Sequence, residues 1–190
     1  RVLSGPFCTA LLGDLGAEVL KVEAPEGDSV RGQGAMKDGL SLYFAQFNRN
    51  KRSLRLDLRK PEGREVLARL ITRSDVLVEN FRPGVMRRFG LYYDTLKDVN
   101  PALIYCAISG YGQTGPSSEL PAYAPAIHAA AGFDLAHLAY QPGRVRPDDC
   151  GIYIADVLTG TYAYGAITTA LVQRQATGRG QMVDVSMLES

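Results

Sequence analysis

Apolar residues recur along this chain of 190 residues at two alternating spacings, one typical of helices and the other of strands. The helical spacing predicts helices at 7–15, 61–73, 85–88, 95–99, 125–132 and 154–173. Short apolar or alternating runs predict strands at 19–23, 53–58, 75–80, 102–108 and 182–187. Such alternation predicts an α/β fold, with a largely parallel sheet flanked by crossover helices. Residues 53–80 should form a right-handed βαβ unit, and the wholly apolar strand 102–108 should be central.

Basic residues gather near the ends of several predicted strands. In open α/β sheets, ligands bind outside the carboxyl ends of the strands, where loops and helix N-termini meet. A cationic rim there suits a multiply phosphorylated small molecule, although any single arginine is equally well explained as a solvated loop residue. The rim residues are Arg49, Lys51, Arg52, Arg59, Arg82, Arg87 and Arg88. No GxxxxGK[ST] segment occurs, and the turn at 110–112 lacks the third glycine of GxGxxG, so a simple tight turn is the better explanation of its glycines.

Charge and composition exclude several other classes of protein. The chain has 21 Lys and Arg against 20 Asp and Glu, so no global field favours nucleic acid or an anionic membrane. Its three cysteines lie far apart without a CxxC pair, and with only two histidines we predict neither a disulfide framework nor a metal site. No apolar run is long enough to span a bilayer, so a cytosolic location is expected. The missing initial Met and an end just after an apolar run suggest a piece of a longer chain.

Two ionisable residues stand out in apolar surroundings. Asp156 follows the apolar run 152–155 and precedes Val157, so its burial would be costly without compensating hydrogen bonds. It is either a functional carboxylate or a helix N-cap, and the two roles are compatible. His128 lies in an alanine-rich helical pattern without an obvious acidic partner, which favours a packed, hydrogen-bonded residue over a catalyst.

Six segments, in order, resemble the first half of class III CoA transferases of the CaiB/BaiF type, such as formyl-CoA transferase. They are 1–6, 12–23, 48–54, 75–84, 110–116 and 177–181. The resemblance covers essentially the whole chain, and family members are about twice as long. It therefore implies that residues 1–190 are the N-terminal part of the large CoA-binding domain of a longer protein, without its C-terminal half.

The resemblance also implies an activity and a site. Members of the family have a Rossmann-like large domain, form interlocked homodimers, and move CoA from an acyl-CoA donor to a carboxylic acid through a covalent aspartyl intermediate. Asp156 lies in the family's Ala-Asp-x-x-x-Gly segment, which makes it the expected nucleophile. The residues expected to contact CoA are Leu56, Asp57, Leu58, Arg59, Asn80, Phe81, Arg82, Arg88 and Tyr123.

Departures from the family pattern bear on the substrate and leave two alternatives. Leu3, Ala24 and Pro121 replace a glutamine, an arginine and a lysine of formyl-CoA transferase, which argues against formate and oxalate as substrates and against some of the family's phosphate contacts. The α-methylacyl-CoA racemase branch pairs its aspartate with a histidine. Tyr123 stands at that position and His128 five residues later, which favours the transferase. The second alternative is a non-catalytic CoA-binding protein, against which Asp156 argues.

Overall fold

The computed structural model describes residues 2–147 and 151–190. Its α-helices, in chain order, are α1 (Ser4–Asp14), α2 (Leu42–Asn48), α3 (Pro61–Ile71), α4 (Val85–Arg88), α5 (Tyr93–Val99), α6 (Ala124–Ala130), α7 (Phe133–Leu138) and α8 (Ile154–Thr177). Its strands are β1 (Val19–Glu23), β2 (Met36–Lys37), β3 (Leu40–Ser41), β4 (Lys51–Arg55), β5 (Val76–Glu79), β6 (Ile104–Ser109) and β7 (Met182–Ser186).

The strands form two parallel sheets and one small hairpin. A three-stranded parallel sheet has the order β5-β6-β7, and β1 pairs with β4 in a second parallel sheet. The short strands β2 and β3 are antiparallel. All six residues of β6 are buried, because the strand has a neighbour on each side and helices on both faces. The predicted central strand and the α/β fold class are therefore confirmed.

Two apolar clusters lie on the two faces of β6, because successive strand residues point in opposite directions. Tyr105 and Ala107 face a cluster that includes residues of α3 and α5. Cys106 and Ile108 face a second cluster that includes residues of α1 and α8. This helix, sheet, helix layering is the Rossmann-like arrangement predicted from the sequence.

The predicted βαβ unit at 53–80 is wrong in its pairing. β4 ends at Arg55 and pairs with β1, whereas β5 pairs with β6, so the two strands belong to different sheets. The alternating leucines, which predicted a strand as far as residue 58, continue past the end of β4 at Arg55. The N–H of Leu56 still donates to the carbonyl oxygen of Glu23 in β1, at 2.8 Å. The side chains of Leu56 and Leu58 pack against the cluster that contains Leu67 of α3. Beyond Arg55, the alternation therefore reflects the burial of these side chains and not strand structure.

Several short elements were not predicted. α2 was missed although Ser41 caps it by accepting the N–H of Phe44 at 3.0 Å, a recognisable start signal. α7 follows α6 directly, and Gly132 separates the two helices with a φ of 75°. The long helix at 154–173 is confirmed and extends to Thr177, with Gly178 as its left-handed C-cap. The polar sequence at 141–149 predicts a loop, and part of this segment lies outside the described residues.

Glycine at position 160 lets α8 approach the start of α1 closely. A Cβ atom added there would lie 2.8 Å from the carbonyl oxygen of Ser4 and 2.9 Å from Cδ1 of Phe7. Gly160 lies one helical turn after Asp156, so both residues occupy the face of α8 that meets α1. The missing side chain thus sets the distance between α8 and the N-terminus of α1.

We predict that Gly160→Ala in the full-length protein lowers the free energy of unfolding by about 1–3 kcal/mol, because the added methyl group overpacks the contact between α1 and α8. Gly165→Ala is the matched control in the same helix, since a Cβ atom there meets no atom within 4 Å. It should not destabilise the protein, because alanine is the better helix former. Urea denaturation curves measure both effects, and equal curves for the two variants would contradict this account.

Candidate functional site

A cleft of about 850 Å³ lies at the carboxyl ends of the five parallel strands. Glu23, Glu79 and Ser109, which end β1, β5 and β6, line it, as do Leu56 after β4 and Met187 after β7. Parallel strands all point towards one edge of their sheet, so the loops that follow them converge there. The cleft is therefore a direct product of the strand directions.

Most residues expected at the site line this cleft. They are Leu56, Asp57, Leu58, Arg59, Asn80, Phe81, Arg82, Tyr123 and Asp156. Arg88 is the exception. It is exposed on α4 and is not part of the cleft lining, although its guanidinium lies near Gly84, next to the lining residues Pro83 and Val85. The geometry brings these residues together, and their contacts with CoA stay predictions.

Asp156 is joined to the first residue of α1. Its Oδ1 accepts the backbone N–H of Ser4 at 3.2 Å and a short hydrogen bond from the Ser4 hydroxyl. The N-cap of α8 is Tyr153, so the expectation that Asp156 caps its own helix is wrong. Asp156 instead takes up the free N–H at the start of a neighbouring helix. Sequence reasoning did not identify Ser4, because the two residues are 152 positions apart.

Two opposed effects act on the Asp156 carboxyl. Burial raises its pKa above the ordinary value for an aspartate, since the charged form is poorly solvated there. The hydrogen bonds from Ser4 act in the opposite direction by stabilising the carboxylate. The positive end of the α1 dipole lies at the same place and also favours the anion. The Asp156 carboxyl therefore loses its proton less readily than a surface aspartate does, and the carboxylate is held in one orientation.

His128 is a packed and hydrogen-bonded residue, as the sequence indicated. It is 6% exposed, its ring packs against Phe133 at 4.9 Å, and its Nε2 accepts the backbone N–H of Ala155 at 3.1 Å. A nitrogen that accepts this bond carries no proton, so Nδ1 carries it in the neutral ring. The lone pair that a general base would need is therefore engaged by the backbone next to Asp156.

Three residues of the predicted cationic rim lie away from the cleft. Arg49, Lys51 and Arg52 are at the amino end of β4, and parallel strands place that end opposite the cleft. Arg49 pairs with Asp14 and Arg52 with Glu18. Lys51 is partly buried and its Nζ donates to the carbonyl oxygens of Pro6 and Phe47, each at 2.7 Å. Burial lowers its pKa to about 7. The prediction that these three belong to a ligand-binding rim is wrong.

The cations at the cleft itself are partly neutralised. Arg59 is bonded twice to Asp57, through Nε at 2.7 Å and Nη2 at 3.1 Å. Lys21 pairs with Asp28 at 2.7 Å. Arg87, a rim residue that does not line the cleft, pairs with Asp94 and stacks on the ring of Tyr92. Arg82, exposed at the cleft, has no ion pair among those found in the described part of the chain, and is the best placed of these cations to meet a phosphate.

A buried carboxylate organises the loop after β1. Both oxygens of Glu23 accept bonds from Arg31, at 2.8 and 2.7 Å, and they also accept from the N–H of Asp28 at 2.8 Å and the hydroxyl of Ser53 at 2.6 Å. The Arg31 guanidinium holds the pKa of Glu23 down to about 2. Residues 24–29 line the cleft, so this cluster fixes one of its walls.

A second buried carboxyl, Glu79, lies where β5 ends. Its Oε2 accepts the N–H of Phe81 at 2.8 Å and its Oε1 accepts the hydroxyl of Tyr105 at 3.3 Å. Burial raises the pKa of Glu79 to about 7. Neither buried acid was identified from the sequence. The available signal was an acidic residue ending an apolar strand, which also describes many exposed positions.

Within residues 2–147 and 151–190, no helix is both long enough and apolar enough to cross a bilayer. In the same part of the chain, no three His, Cys, Asp or Glu side chains come together as a set of metal ligands. Cys8 and Cys106 are buried free thiols, and Cys150 lies outside the described residues.

Known proteins resemble this chain in both sequence and structure. Human succinyl-CoA:glutarate CoA-transferase is 43% identical over 192 residues, which cover all of this chain and 43% of that protein. The β subunit of succinyl-CoA–L-malate CoA-transferase from Chloroflexus aurantiacus is 44% identical, with 47% of that protein covered. A crystal structure of a CaiB/BaiF family protein from Brucella suis superposes with a TM-score of 0.92 at 42% identity, over this whole chain and 50% of that one.

The chain spans about half the length of the relatives it matches. The similarity extends over the whole of this chain. Residues 1–190 match the family described as CoA-transferase family III. This chain belongs to the family III CoA-transferases, the CaiB/BaiF proteins.

Proposed function

We propose that the full-length protein transfers CoA from an acyl-CoA donor to a carboxylic acid acceptor, with Asp156 as the covalent nucleophile. The observation that carries this proposal is the Asp156 carboxylate, oriented by Ser4 inside a cleft that would admit a large ligand. Family membership supplies the reaction class. Related proteins are named for transfer between succinyl-CoA and glutarate or malate, and the proposal extends only their class of acids to this chain.

The proposed reaction begins with attack of the Asp156 carboxylate on the thioester carbonyl of the donor. The C–S bond breaks, CoA leaves as the thiolate, and a mixed anhydride joins the donor acyl group to Asp156. The thiolate then attacks the aspartyl carbonyl, which releases the donor acid and leaves an aspartyl-CoA thioester. Each step exchanges one acyl bond for another, so no proton has to be removed from the nucleophile.

The second half of the reaction reverses these steps with the acceptor. The acceptor carboxylate attacks the aspartyl-CoA thioester, which releases CoA thiolate and forms a new mixed anhydride. The thiolate attacks the acceptor carbonyl, which yields the product acyl-CoA and regenerates the Asp156 carboxylate. Among the described residues, both donors to Asp156 bind Oδ1, which leaves Oδ2 as the attacking oxygen. Donors for the tetrahedral oxyanions would be needed as well.

The assignment of transferase over racemase rests on His128. A racemase of this family requires a histidine that can take an α-proton, and the Nε2 of His128 is already bonded to the N–H of Ala155. Tyr123, at the position expected for that histidine, lines the cleft but is a poor base. We also propose that the full-length chain acts as an interlocked homodimer, as its resemblance to the family implies. Exposed apolar residues of α8, such as Tyr162 and Val172, would suit burial in such an assembly.

Replacement of the nucleophile is the central test. We predict that Asp156→Ala and Asp156→Asn lower the rate of CoA exchange by about a thousand-fold or more, while CoA binding changes little. Mass spectrometry of the wild type with donor alone should find CoA attached to Asp156. An Asp156→Ala variant with near-normal exchange would refute the mechanism. A wild type that binds acyl-CoA but neither transfers CoA nor exchanges an α-proton in deuterated water would indicate a non-catalytic binding protein.

The pH dependence of exchange tests the role of Ser4. Exchange requires ionised Asp156, so the rate should fall as the pH drops through the pKa of its carboxyl, which burial has raised. The Ser4 hydroxyl lowers that pKa, so Ser4→Ala should move the acid limb of the profile of kcat/KM to higher pH. Thr9→Val is the control, because the Thr9 hydroxyl on the same helix bonds only to the α1 backbone, at Gly5 and Pro6. An unchanged acid limb in Ser4→Ala would contradict the assignment.

The arginines near the cleft provide a test of phosphate binding. We predict that Arg82→Ala and Arg88→Ala each weaken CoA binding by about 1.5–3 kcal/mol, the range for hydrogen bonds to charged groups. Arg87→Ala is the control from the same helix as Arg88, since Arg87 is bonded to Asp94 and stacked on Tyr92. Isothermal titration calorimetry with CoA measures all three affinities. Equal affinity losses in the three variants would show a general charge effect instead of a defined contact.

A further inference from the structure

Glu79 has a position that the proposed reaction does not use. It is the last residue of β5, it is 7% exposed, and it lines the cleft. One oxygen of its carboxyl accepts the N–H of Phe81, and the other accepts the hydroxyl of Tyr105. The side chain therefore links the loop after β5 to the central strand of the sheet.

The Tyr105 end of this link is rigid. Tyr105 is fully buried in β6, between two paired strands. The rings of Tyr92 and Tyr93 contact its ring edge-on, with centroids 5.6 and 6.2 Å away. Such aromatic contacts restrict the orientation of the ring and so the direction of its hydroxyl. Glu79 is thus anchored to one of the least mobile groups of the core.

The turn at Asn80–Arg82 is held from its other side by α1. A Cβ atom added at Gly5 would lie 3.2 Å from Cγ of Asn80 and 3.3 Å from its Oδ1, so the Asn80 amide lies directly on the first turn of α1. On the side of the sheet, Glu79 accepts the N–H of Phe81, two residues further along the chain. The turn is therefore fixed between a helix end and the core.

We propose that Glu79 is a positioning residue, whose carboxyl holds the Asn80–Arg82 turn in the shape that binds the acyl-CoA donor. This inference rests on the proposed function, because it assigns the turn to the donor. Both oxygens of Glu79 are engaged within the protein, so it acts through the turn and not on the reacting atoms. The turn carries Arg82 at the cleft, and a shift of its backbone would move that guanidinium.

Three variants separate positioning from other roles. Glu79→Ala removes both hydrogen bonds and should raise the KM for the acyl-CoA donor about 10- to 100-fold, as expected for the loss of two buried bonds. Its kcat and its KM for the acceptor acid should change by less than about three-fold. Glu79→Gln should restore the donor KM to within about three-fold of wild type, because its amide oxygen can accept the Phe81 N–H and its NH₂ can donate to Tyr105.

Tyr105→Phe tests the anchor without altering the acid. It removes one of the two bonds and should raise the donor KM by about three- to ten-fold. Tyr92→Phe is its matched control, since the Tyr92 hydroxyl contacts Met182 at 3.6 Å and its ring belongs to the same aromatic group. It should leave the donor KM at the wild-type value. Together, Tyr105→Phe and Tyr92→Phe still test the proposed role of Glu79 if Glu79→Ala does not fold.

The full-length protein is used throughout, with calorimetric titration of CoA and a thermal unfolding curve for each variant. If wild type neither binds CoA nor exchanges it, this inference and the proposed function are both overturned. If wild type does both, an unchanged donor KM in Glu79→Ala or in Tyr105→Phe overturns the inference alone. A Glu79→Gln variant as impaired as Glu79→Ala would indicate a role for the charge and would likewise overturn it, as would a fall in kcat at constant KM.

Discussion

The contact between Asp156 and the N-terminus of α1 is the constraint on which the site depends. A carboxylate in this partly buried position loses much of its hydration, which costs free energy unless hydrogen bonds compensate it. Ser4 supplies two donors, and the helix end adds a favourable dipole. The contact exists only because Gly160 lets α8 approach α1 so closely. One absent side chain and one helix terminus therefore make an ionisable group tolerable inside the cleft.

The same solution recurs with two buried acids of the cleft, Glu23 and Glu79. Loops that follow parallel strands leave the regular ladder, so their backbone N–H groups need other acceptors. Glu23 accepts the N–H of Asp28, and Glu79 accepts the N–H of Phe81. Their environments then separate their pKa values. Glu23 faces the Arg31 guanidinium and its pKa falls to about 2, whereas Glu79 has only neutral donors and its pKa rises to about 7.

Sequence pattern predicted the layers of the fold better than the contacts between them. The strand β6 and the long helix α8 were predicted correctly, because an apolar run and a helical periodicity each depend on local burial. The strand that pairs with β4 was not predicted correctly, since alternating leucines occur both in strands and in loops that pack on a core. Asp156 was found from its apolar neighbours and a family segment. Gly160 is the glycine of that segment and Ser4 lies in another segment of the resemblance, but their contacts could not be predicted, because each depends on the approach of a distant element.

The environment of Asp156 also bears on its reactivity. Strong compensation by a cation would lower the pKa of a carboxylate and, with it, its basicity and its strength as a nucleophile. Asp156 instead has neutral donors from Ser4, and burial outweighs them, so its pKa is raised. A carboxylate that is oriented but poorly solvated is more basic than one on the surface, and in the proposed reaction this would make Asp156 a stronger nucleophile towards the thioester carbonyl.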